Sequence, residues 1–243
     1  MMRNPGLARN DRVKMKKVMS ARWARIAVAV AAAGLAVSAC GTVKMGAAAI
    51  TGSNRISSAT LTAQVANLNS AYRADQAKGI KPQRATRQEA QQVLTWLILF
   101  RVYDKLASQH SINVTPAQAQ RQLEGLSSEA ASSKLSLDQY VSAAGALPPD
   151  LLPQLGKYFA ILSELEGRID GGKAPTTTAG QDSLDAKVGH YQCVASKDLG
   201  VTVNPQYGVW DYSSYSVVSA PSTLAAAPTP SASASPAVTK APC

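Results

Sequence analysis

A mainly α-helical body, closed by a short pair of strands, is the fold class this sequence predicts. Three observations carry the prediction. Apolar residues recur at helical spacing through the middle of the chain. Ser or Thr, followed three places later by Glu or Gln, stands at the start of several such stretches. Alanine is abundant while aromatic residues make up only 5% of the chain, a composition suited to helices that pack closely.

Taken in order, Ala47 to Thr51 reads as a brief apolar strand, Gly52-Ser53-Asn54 as a turn, and Arg55-Ile56-Ser57 as the approach to a helix. Leu61, Val65, Leu68 and Tyr72 form one stripe on that helix, which Gly79 and Pro82 end. Thr86 and Glu89 make a capping box for a stronger helix carrying Val93, Leu94, Leu97, Ile98, Val102 and Leu106. Its segment Leu97 to Phe100 is apolar on all sides, which marks it as the central helix. Thr115-Pro116 with Gln118, and Ser136 with Gln139, repeat the cap pattern for two shorter helices. Asp150 is read as opening a helix with Pro153 in its first turn and Leu155, Phe159, Leu162 and Leu165 on one face. A Gly, Thr and Pro connector at 171–181 follows. Asp182 is read as the cap of a last helix that Gly200 stops, before a strand at Val201-Thr202-Val203 and a turn at Asn204-Pro205. Residues 212–243 drift into Ser, Ala and Pro, a low-complexity composition that buries no core and is expected to be disordered.

The N-terminus has a separate logic. Arg22 and Arg25 precede a short apolar run from Ile26 to Val37, and Val37-Ser38-Ala39-Cys40 closes it. The run is shorter than the ~20 residues of a membrane-spanning helix and fits a secretory leader. With a cysteine directly after the small residues, it resembles a bacterial lipobox. The resemblance implies a signal peptide at 1–39, lipid (palmitate among the acyl groups) on Cys40, and a tether at 40–46. An ordinary signal-peptidase site at Val37 and Ala39 is the rival, but it would leave a reactive thiol exposed in a secreted chain. The long leader leaves Met15 and Met19 as alternative starts.

The leader also resolves the charge. A net charge of +10 invites a nucleic-acid reading. Residues 1–39 hold 8 of the 25 basic residues and 1 of the 15 acidic ones, leaving 17 against 14, or +3, for the remainder. Those charges are scattered, with no basic stripe and no interleaved aromatics, so no nucleic-acid partner is expected. Of three cysteines, Cys40 is assigned to lipid. An oxidising compartment permits a bridge between Cys193 and Cys243, although Cys243 ends the low-complexity tail and neither position has a framework around it.

Three short segments, in order, carry a family resemblance: Ala47-Ala48-Ala49-Ile50-Thr51-Gly52 leading through Arg55-Ile56-Ser57, Ser111-Ile112-Asn113-Val114-Thr115-Pro116, and Leu199 to Gly208 ending at Trp210-Asp211. Over 47–211 the chain resembles the N-terminal chaperone domain of SurA and the PrsA-type foldases, and more closely the SurA-like lipoproteins of actinobacteria. The resemblance implies a helical SurA/trigger-factor-type peptide-binding domain whose opening and closing strands pair. Gln206 departs from the basic residue often found there. The parvulin domain that the foldases insert is missing, its place held by the connector at 171–181.

Catalysis is not expected: no nucleophile–base pair, phosphate loop or carboxylate dyad can be identified. The only histidines are His110 and His190. His190 and Cys193 share a helix face at i, i+3, but two ligands make a poor metal site, so neither metal nor cofactor is expected. The expected function is that of a lipid-anchored chaperone-like protein at the extracytoplasmic face of the cell membrane, binding unfolded or newly translocated polypeptides without isomerase activity. The alternative is an accessory envelope lipoprotein that docks one specific partner protein. Trp96, Phe100, Tyr103, Tyr158 and Phe159 are the candidate peptide-binding residues, against the plainer reading of each as core packing.

Overall fold

The structure, a computed structural model, describes residues 46–79 and 86–220, with the side chains of 86 and 87 excepted. Its first element, β1 (Ala47–Thr51), is buried along nearly all its length and is the middle strand of a three-stranded sheet. On one side β1 pairs antiparallel with β2 (Asn54–Ser57), through a turn in which Gly52 takes φ +61°. On its other side it pairs antiparallel with β3 (Thr202–Val203), Ala49 opposite Val203 and Ile50 opposite Thr202. The opening strand therefore pairs with the strand that follows the last helix, as expected. Asn204 tightens it, its backbone N–H donating to the Ala48 carbonyl at 2.9 Å and its side-chain amide to the Ala47 carbonyl at 3.0 Å.

Helix α1 (Ser58–Gln76) starts where the Ser57 hydroxyl accepts from the Thr60 N–H at 2.9 Å. It buries Leu61, Leu68 and Tyr72. Helix α2 (Thr86–Gln109) is the centre of the molecule, with Val93, Leu94, Ile98, Val102 and Leu106 fully buried. Each such side chain contributes roughly 2 kcal/mol by leaving water, so this helix anchors the core. The Thr86 side of its expected capping box lies outside the described side chains; Glu89 is buried, and desolvation raises its pKa.

Both later capping boxes are formed. In α3 (Pro116–Ser132) the Thr115 N–H donates to Gln118 Oε1 at 2.7 Å and the Gln118 N–H returns to Thr115 Oγ1 at 3.2 Å. In α4 (Leu137–Gly145) Ser136 and Gln139 make the same exchange at 3.0 and 3.3 Å. The next helix differs from expectation. Asp150 lies in a 3₁₀ turn, Pro149–Leu151, and α5 begins at Leu152 and runs to Ile169 with no side-chain cap. The Leu151 N–H closes the 3₁₀ turn on the Pro148 carbonyl at 2.9 Å, and Pro153, three places after Asp150, has no N–H that an Asp150 cap could accept from.

Two further boundaries also move. Helix α6 (Thr178–Leu199) begins inside the expected connector at 171–181, capped by Thr177, whose hydroxyl accepts from the Gly180 N–H at 3.1 Å; Asp182 is not the cap. Gly200 ends this helix at φ +56°, as expected. Residues after 211 do not all belong to a tail. Strands β4 (Val209–Asp211) and β5 (Ser216–Val218) form a separate hairpin, with Trp210 opposite Val217. Its turn is held by Asp211, whose carboxylate accepts from the Ser213 N–H at 2.9 Å and from the hydroxyls of Ser213 and Ser214 at 2.8 Å. The Val217 N–H donates to Thr95 Oγ1 at 2.9 Å, hooking the hairpin onto α2. The molecule is thus mainly helical with a few short strands. Among the described residues no helix is long and apolar enough to cross a membrane.

Candidate functional site

The five aromatic residues singled out from the sequence come together. Trp96, Phe100 and Tyr103 lie at i, i+4 and i+7 on α2, which puts them on one face. Tyr158 and Phe159 come from α5 and meet that face. Tyr158 is the hub, its ring centroid 4.3 Å from Tyr103, 5.1 Å from Phe159, 6.0 Å from Trp96 and 6.3 Å from Phe100. These edge-on and tilted separations are those at which aromatic pairs attract.

Burial decides what the cluster can do. Tyr103 is 2% exposed and Phe100 9%, so each presents little surface. Phe100 belongs to a second, smaller core with Val141, Leu147, Leu151 and Leu155, on which Trp96, Tyr158 and Phe159 pack while remaining half-buried. The Trp96 indole N–H is fixed by the Gly145 carbonyl at 2.9 Å. Burial pushes the Tyr103 phenol far above the usual range, with Tyr158 beside it adding to the effect, and burial raises Tyr158 as well. Both stay neutral and pack within the body, while Phe100, Tyr103 and Tyr158 also border a small depression.

The surface lies next to them. A groove of about 370 Å³ opens between α3 and α5, lined by Val114, Pro116, Ala119, Leu123, Pro153 and Lys157 among others. A second depression, about 320 Å³, is lined by Asp104, Ile112, Asn113, Val114, Lys157 and Ile161. A third, about 80 Å³, has Phe100, Tyr103 and Tyr158 as its walls, again with Asp104 and Lys157. Lys157 borders all three, and its ammonium lies 2.6 Å from Asp104 Oδ1. Arg101 lies 3.8 Å from the other Asp104 oxygen, so two cations share one carboxylate beside a groove whose α3–α5 walls are largely apolar. Close approach of α3 and α5 shapes it: a Cβ on Gly156 would lie 2.8 Å from the Ala119 carbonyl oxygen and 2.9 Å from Leu123 Cγ.

Sequence reasoning missed these lining residues. Pro116 and Pro153, each in the first turn of a helix, were the available signal, since both expose an apolar ring at a helix start.

The histidines sit elsewhere. His110 and His190 both pack edge-on against Tyr191, at 4.7 and 6.0 Å between centroids. Arg168 donates to the His110 carbonyl at 2.6 Å and pairs with Glu164 at 3.3 Å. Cys193, 8% exposed on α6, is disulfide-bonded, so it makes no thiol or metal site with His190. Among the described residues no group of three or more His, Cys, Asp or Glu side chains is placed to hold a metal ion. Cys40 lies outside the described residues. No protein-family model, no curated protein and no solved structure matches this chain.

Proposed function

We propose that this protein is a lipid-anchored, extracytoplasmic binding protein with a SurA-like helical body, which shields extended apolar segments of other polypeptides without performing chemistry on them. The observation that carries the reading is the trough along α5. The apolar walls of its α3–α5 groove match the side chains of an unfolded segment, and the Asp104 carboxylate beside it is held between Lys157 and Arg101. The pairing of β1 with β3 supports the likeness to SurA-type domains in connectivity. The lipobox-like stretch ending at Cys40 supports the location.

The mechanism is exclusion of water from a client's apolar side chains, worth about 25 cal/mol per Å² of surface covered. A trough this short covers only a few residues at a time, so binding is weak and reversible. The test is suppression of aggregation of a chemically unfolded client by the protein lacking residues 1–40. Protection at a few-fold molar excess is expected; no protection of any client would remove the reading. Crosslinking in cells separates general binding from the docking of one partner, the first giving many adducts and the second a single dominant one.

A further inference from the structure

A pocket of about 280 Å³ lies between α1 and the start of α4, and it shares no lining residue with the α3–α5 groove or the two depressions beside that groove. Asn67, Ala71, Ala74 and Asp75 line it from one stripe of α1, and Ser136, Asp138 and Ser142 line it from α4 and its cap.

Asp75 is the unusual member. It is 5% exposed, yet it forms no ion pair among the described residues. The donor beside it is the Ser142 hydroxyl, 3.2 Å from Oδ2, and that hydroxyl lies equally 3.2 Å from the Gln139 carbonyl oxygen. A hydroxyl carries one proton, so the carboxylate has a shared bond at best. Asn67 adds a second unmet acceptor, its Oδ1 shut away from solvent with no hydrogen-bond partner among the described residues. A charge buried in that state is costly unless a counter-charge reaches it. Lys78 is the single cation among the lining side chains, and it is exposed and in no ion pair among the described residues. Arg73, close by on α1, directs a donor to Ser70 Oγ at 2.9 Å.

We infer that this pocket is a binding site for a primary ammonium group carried on a short aliphatic chain. An ammonium has three donors that radiate in different directions and no acceptor, which suits acceptors supplied by two separate helices. Two carboxylates, Asp75 and Asp138, against the one ammonium of Lys78 leave a single negative charge on the walls, the complement of a monoamine. A divalent metal ion fits less well, because the Lys78 ammonium opposes a double charge and the walls hold only those two carboxylates. Ala71, Ala74 and Pro149 give apolar wall for the carbon chain. The space is several times the ~30 Å³ share of one water molecule, room for an amino alcohol rather than a bare ion.

The test is isothermal titration calorimetry of the full chain with ethanolammonium chloride, with ethylene glycol as the uncharged isostere. Ethanolammonium is expected to bind with a dissociation constant of about 1 mM, within what about four non-hydrogen atoms can provide, and ethylene glycol is expected not to bind. Asp75→Asn is expected to weaken binding about tenfold or more. Its unligated form is expected to melt no lower than the unsubstituted protein, because the charge it removes had no partner. Asp138→Asn, at the exposed rim, keeps the fold and is expected to weaken binding about threefold.

Absence of binding by ethanolammonium, or equal binding of ethylene glycol, would overturn the inference. A clear fall in the melting temperature of unligated Asp75→Asn would also overturn it, by showing that the charge is compensated within the fold. Unchanged affinity in both variants would place the amine elsewhere. Saturable binding of calcium ions in competition with ethanolammonium would replace the amine with a metal. Binding of Nα-acetyl-lysinamide about tenfold tighter than ethanolammonium would replace the free amine with a lysine side chain of another polypeptide.

Discussion

Asn204 holds Ala47, 157 residues before it in the sequence: its side-chain amide donates to the Ala47 carbonyl at 3.0 Å, while its own Oδ1 accepts from the Gln206 N–H at 3.1 Å. One side chain therefore fixes both the register of β1 against β3 and the turn that follows. Asn204→Ala removes both bonds and is expected to cost about 1–2 kcal/mol, a drop of about 3–6 °C in melting temperature. Asn204→Asp keeps the acceptor toward Gln206 but sets a carboxylate oxygen against the Ala47 carbonyl, and thermal denaturation is expected to place it no higher than Asn204→Ala.

Gly156 is set by the neighbouring helix. With a Cβ there only 2.8 Å from the Ala119 carbonyl oxygen, Gly156→Val forces α3 and α5 apart, at an expected cost of about 1–3 kcal/mol in urea denaturation. The same change widens the trough, so client protection is expected to fall together with stability.

Separating fold from function needs a pair of variants. Leu123 is half-buried on the wall of the trough, and Leu123→Glu is expected to abolish aggregation suppression with an unchanged circular dichroism spectrum. Tyr158→Ala removes the hub of the aromatic cluster and is expected to cost about 3–4 kcal/mol in denaturation, through the cavity it leaves. If Tyr158→Ala instead left stability intact and removed protection, the aromatics and not the trough wall would be the binding surface.

Thr51 is fully buried, and its hydroxyl has no hydrogen-bond partner among the described residues. Thr51→Val keeps the shape and removes the orphaned group. Stabilisation by about 1 kcal/mol is expected, read as a melting temperature about 2–4 °C higher.

Glu166 gives a pH signature. Burial first, then the nearby carboxylates of Asp185 and Asp170, raise its pKa in the folded protein. The native state thus holds the proton more tightly than the unfolded chain. The favourable contribution is fully present below the unfolded pKa and is lost as pH rises through the folded one. Glu166→Gln is expected to melt above the unsubstituted protein at pH 7, with the gap closing as pH falls below about 4.5. A gap independent of pH would show that the charge is not the cause.

Much of the helical frame was legible because its signals are local. The Thr115–Gln118 and Ser136–Gln139 boxes each need only four consecutive residues, and both form as read. Gly200 was legible for the same reason, being the residue type that takes the left-handed conformation at a helix end. Thr177 was missed because its N3 position is Gly180, which completes no box, and the Gly- and Thr-rich run around it looks like linker. The β4–β5 hairpin was missed because its turn, Tyr212-Ser213-Ser214-Tyr215, lacks the usual Asn-Gly signal. It is built instead on the Asp211 carboxylate and a left-handed Tyr215. The trough was illegible in principle. Ala119 and Lys157 share a wall only because α3 packs against α5, and no periodicity in either helix records that packing.

The central place of β1 has a consequence for how the chain is made. Its nearest partner, β2, follows within a few residues, but β3 lies about 150 residues downstream. A chain growing from its N-terminus therefore shows one unpaired edge of the Ala47–Thr51 strand during most of its synthesis. Contacts that distant slow folding and prolong the exposure of a sticky edge. The strand that opens the body is then sealed only after all six helices have been made.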